Sequence, residues 1–97
     1  MFQVISVAKL LGKKLDTRRK AAAFRENILA SKTNLVLDFA DIEMMTDEFV
    51  TESFGKLALI LGREQFYGRI SFKNLSSNDS HSIVSVAENH FQKKLKK

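Results

Sequence analysis

Three short apolar runs alternate with longer stretches of helical period along this chain. Phe2–Val7 (FQVISV) mixes aromatic and β-branched residues with a loose period of two and predicts a strand. Leu35–Phe39 (LVLDF) is nearly continuous apolar, as in a central strand buried on both faces. Arg69–Leu75 (RISFKNL) sets Ile70 and Phe72 against Ser71 and Lys73, the alternation of a half-exposed strand nearer an edge.

The helical signals fall between and after these runs. Thr17 is an N-cap for a helix over Arg18–Ala30, whose Ala21, Ala22, Phe24, Ile28 and Leu29 gather on one side. Thr46 caps a second helix that reaches about Leu61 and stops at Gly62. Its core stripe is Val50, Phe54, Leu57 and Leu61, flanked by Phe49 and Ile60. A third helix spans about Ser80 to Lys94, with Ile83, Val84, Ala87 and Phe91 inward and His90 at the core boundary. Ala8–Asp16 reads as a connector turning at Gly12, and Ala40–Met45 as a loop. Alternation β-α-β-α-β-α with short loops predicts one small α/β domain, its mainly parallel sheet joined by right-handed crossovers.

Composition narrows the class. Ninety-seven residues with 44% hydrophobic content support one modest core, and eight Phe supply much of its volume. No apolar run is long enough to span a bilayer, and MFQVISVAKLLGKK lacks the order of a secretory signal. There is no cysteine, hence no disulfide or thiolate metal site, which fits a cytoplasmic protein. The net charge of +5 is concentrated at one end: Lys93, Lys94, Lys96 and Lys97 supply four of it. The expected organisation is a domain over 1–92 and a basic tail over 93–97.

Candidate chemistry is sparse. The carboxyl ends of parallel strands carry the useful loops of such folds. Here that edge holds Asp38, Asp41, Glu43, Thr46, Asp47 and Glu48. Helix capping accounts for half of this set, because Asp47 and Glu48 sit in a first turn where negative charge is favoured. No phosphate-binding glycine loop or nucleophile elbow is present, and both histidines lie in the last helical region. Neither an enzyme nor a metal or cofactor site is expected. Arg25 falls inside the apolar sector of its helix and Arg18 near the edge, which predicts structural ion pairs or an anion site. On the exposed stripe of the second helix, with Glu48, Glu52, Lys56 and Arg63, Gly55 and Leu59 stand out as a flat apolar spot.

The run LGKKLDTRRKAAAFRENI, followed by LVLDFADIEMMTDEFVTESFGKLALILG and RISFKN, resembles the STAS-like domains of unknown function of bacteria and phages. Thr17, Arg18, Arg25, Val36, Asp38, Phe39, Phe49, Glu52, Phe54, Gly55, Lys56 and Leu57 carry the match, which covers about Leu11 to Asn74. Departures are Asp47-Glu48, where the family has Ser or Thr before the Phe, and Ala22, where glycine is common. The resemblance extends distantly to the anti-sigma-factor antagonists, β/α superhelices with a phosphorylated serine at the start of this same helix. It implies a regulatory, partner-switching module whose partner is a protein, with a histidine-kinase-like ATPase as one such partner. The serine position holds acid here, Asp47 or Glu48, and Thr46 is the nearest hydroxyl for a phosphate.

The expected partner surface is therefore Asp41, Glu43, Thr46, Asp47, Glu48, Glu52, Gly55 and Leu59, with Arg18, Arg25 and Asp38 as the ion-pair or anion set. The alternative is a nucleic-acid-associated accessory protein acting through Lys13, Lys14, Arg18, Arg19 and the lysine tail. A thinly covered sheet face would also allow a homodimer through Ile5 or Val7.

Overall fold

In the computed structural model residues 2–95 are described, with side chains as far as residue 93. A three-stranded parallel sheet has the order β1-β3-β5, from Phe2–Ser6, Asn34–Asp38 and Ile70–Lys73. A second, two-stranded parallel sheet pairs β2 (Lys14–Leu15) with β4 (Met44–Met45). The helices are α1 (Val7–Leu11), α2 (Arg18–Ala30), α3 (Asp47–Val50), α4 (Lys56–Arg69) and α5 (Ser77–Leu95), with a π turn at Thr51–Gly55 joining α3 to α4. The predicted α/β order and mainly parallel sheet are present. The short α1 and the β2–β4 pair stand where a connector and a loop were expected. α5 runs to Leu95, past the expected boundary at 92, and Lys96 and Lys97 lie outside the described residues.

Local chemistry fixes the helix starts. The Thr17 hydroxyl accepts from the Lys20 N–H at 3.1 Å, and the Thr46 hydroxyl accepts from the Phe49 N–H at 3.2 Å. Gly62 sits inside α4 with φ 80° and ψ 166°, in the left-handed region that favours glycine, and breaks the helix where a stop was predicted. A further helical segment, unpredicted, then continues to Arg69.

The core is aromatic. Phe24 stacks on Phe49 (5.9 Å) and meets Phe54 edge-on (5.6 Å), and Phe54 meets Phe66 and Phe72. Leu35, Leu37 and Ile70 face this core and are buried. On the other face of the sheet, Val36 and Asp38 are half-buried, while Val4, Ser71 and Lys73 are exposed. The central strand is therefore covered on one face, not two. Val7, the first residue of α1, is fully buried and cannot face a second copy.

Candidate functional site

The acidic stretch before α3 is pinned by the small sheet. The Glu43 and Met44 N–H groups donate to the Lys13 carbonyl (2.8 and 3.5 Å), and the Thr46 N–H donates to that of Leu15 (3.0 Å). Asp41 turns the chain at φ 69°, a conformation that aspartate tolerates better than most residues. The result is an exposed ridge of Asp41, Glu43, Asp47 and Glu48, with Met44 among them at 42% exposure. Thr46 is half-buried, and its hydroxyl also lies 3.5 Å from the Leu15 carbonyl. Sequence periodicity offered no signal for Met44, because its exposure comes from the β2–β4 pairing.

Behind the ridge, the arginines of α2 meet the acids of the next helix. Arg18 Nε lies 3.1 Å from Glu48 Oε2, with both side chains more than half exposed. Such a surface pair contributes about 0–1 kcal/mol. Arg25 is more enclosed, its side chain 15% exposed. Its Nη1 donates to the Glu52 carbonyl at 2.5 Å and lies 3.5 Å from Glu52 Oε2. Lys56 Nζ takes the same carboxylate oxygen at 2.6 Å. That hydrogen bond from Lys56, helped by the nearby cations of Lys56, Arg25 and Arg18, holds the Glu52 carboxyl below its ordinary range against the opposing effect of burial.

The Arg25 bond explains the π turn. The Lys56 N–H bonds to the carbonyls of Ser53 and Thr51 and passes over that of Glu52, which a regular α-helix would use. The passed-over carbonyl is the one that Arg25 takes. Ser53, fully buried, donates its hydroxyl to the Phe49 carbonyl at 2.7 Å, which further favours a bent ladder.

Asp38 belongs to neither arginine. Its Oδ1 accepts from the Asn74 amide (2.8 Å) and the Ala40 N–H (2.9 Å), and these bonds, the first foremost, with Lys73 nearby, lower its carboxyl below the ordinary value. Asp38 thus ties the end of β3 to the chain leaving β5.

Three members of the expected surface are displaced. Gly55 is buried, not exposed: a Cβ there would stand 2.9 Å from His90 Cε1 and 3.1 Å from Val86 Cγ1, both on α5. His90 is half-buried, with Nδ1 2.8 Å from the Val86 carbonyl. Leu59 is half-buried, so the flat apolar spot is not a free surface. Glu52 faces Arg25 and Lys56 instead of open solvent. Among the described residues, no three His, Asp or Glu groups come together to hold a metal, and no helix is long and apolar enough to cross a membrane.

A one-sided parallel sheet, with an acidic ridge at the start of the helix that follows its central strand, defines a small STAS-like α/β domain. The chain belongs to the family described as the STAS-like domain of unknown function, whose model matches residues 20–80. No curated protein and no solved structure matches the chain.

Proposed function

We infer that the protein is a non-enzymatic regulatory module that binds a protein partner through the ridge Asp41–Glu48. The observation that carries this reading is Met44: a large apolar side chain, 42% exposed, held on a hydrogen-bonded strand in a stretch that also exposes Asp41, Glu43, Asp47 and Glu48. An exposed apolar anchor among charged neighbours in the chain is a candidate binding hot spot. Membership in a STAS-like family supports regulation by partner binding; the resemblance to anti-sigma-factor antagonists adds a histidine-kinase-like ATPase as one candidate partner, and the proposed setting is the cytoplasm. The partner surface is then Asp41, Glu43, Met44, Asp47 and Glu48; Glu52, Gly55 and Leu59 serve the packing behind it. Phosphorylation of Thr46 would remove the cap of α3, so the acids of the ridge act as fixed charges in place of a switchable one.

Met44→Glu tests this. The variant should melt as the wild type does and lose the protein that wild-type bait retains; retained binding sinks the reading. Binding to nucleic acid through Lys13, Lys14 and Arg19 is the rival, and it predicts affinity that falls steeply with salt.

A further inference from the structure

The two edges of the main sheet differ. β5 carries Lys73, with Arg69 immediately before it. β1 (FQVIS) has no charge, proline or glycine, none of the usual devices that keep an edge strand from pairing. Among the described residues it is paired on one side only, with β3. Beside it runs an open groove of about 430 Å³, lined by Gln3, Val4, Ile5 and Ser6 and by Lys9 and Leu10 of α1. Phe2 is 64% exposed, Val4 51% and Leu10 41%.

Register places the apolar residues in a row. Val4 stands opposite Val36 on the outer sheet face, and Phe2 is on the same face of β1. Hence an apolar pair on β3 and β1 runs to the open edge, while the next position of the row, on β5, is Ser71.

We propose that β1 is a homodimer interface, pairing antiparallel with β1 of a second copy about a twofold axis at Val4. That register sets Val4 against its own counterpart and Phe2 against Ser6, and no charged residue of either strand meets a like charge. A self-complementary patch is what a twofold requires. The pair Val36–Val4 then continues into that of the second copy, and the unpaired N–H and C=O groups of both edges are satisfied together. Because β1 is neutral, two copies can pair there with no strand charges of like sign meeting, even in a chain whose net charge is +5. The interface lies away from the acidic ridge and does not depend on the reading given to it.

Light scattering coupled to size exclusion, on the full chain at tens of micromolar and above, tests the proposal. The expected mass is twice 11.0 kDa. Val4→Lys, at an exposed site, puts two ammonium groups across the axis and should yield a monomer with an unchanged circular-dichroism spectrum and a melting temperature that, unlike that of the dimer, does not depend on concentration. Val84→Lys, on an exposed position of α5, should remain a dimer. A wild-type monomer overturns the proposal, and so does a Val4→Lys variant that stays dimeric.

Discussion

Arg25, on α2, takes the Glu52 carbonyl that the Lys56 N–H passes over. Both partners of the guanidinium, that carbonyl and the Glu52 carboxylate, lie in one residue. Arg25→Met should therefore destabilise the fold by about 1.5–3 kcal/mol, the range for hydrogen bonds to charged groups. Glu52→Gln keeps the carbonyl contact and should cost less. Urea midpoints at constant slope check the order, and a larger loss for Glu52→Gln would refute it.

Gly55 lets α5 approach the π turn. Alanine there gains about 1 kcal/mol of helix propensity, but its methyl group meets the His90 ring and Val86, and overpacking costs about 1–3 kcal/mol. A net loss is expected. If the contact with His90 is the cause, Gly55→Ala should cost less in a His90→Ala background. A double-mutant cycle by thermal melting reads this, and a zero coupling energy would show that the ring is not what the methyl group strikes.

Acid should weaken the fold through two carboxylates. Asp38 is held below its ordinary value chiefly by Asn74, and Glu52 chiefly by Lys56. A carboxyl group lowered in the folded state stabilises the fold above its unfolded value, about 4, and that contribution fades as pH falls through the folded value. Stability measured in urea should be flat down to about pH 5 and fall below it. Asp38→Asn should flatten part of that fall; an unchanged acid limb would exclude Asp38 as a source.

Much of the fold was legible because its signals are local. Thr17 and Thr46 mark helix starts, Gly62 marks a break, and the three apolar runs mark the strands of the main sheet. The site was less legible. A π turn adds a residue to one helical turn, so face assignments at 100° per residue slip across it. That slip put Gly55 and Leu59 on an exposed stripe and hid the burial of Ala58. The carbonyl that the turn frees is taken by Arg25, from outside the second helix, where no periodicity within that helix reveals it. The two-residue strands β2 and β4 are too short to have a pattern, so the exposure of Met44 emerged only from their pairing. The one-sided cover of β3 escaped for a similar reason: its continuous apolar run includes Val36, which lies on the bare face beside Val4.

Photo-crosslinking in the native cell tests the proposed partner ridge most directly. A benzophenone side chain at position 44 should give an adduct with a second protein, distinct from a crosslinked pair of this chain. Reversing the charges at Asp41 and Glu43 to lysine should abolish it while the melting curve holds. No adduct from position 44, or one that survives the charge reversal, would contradict the account.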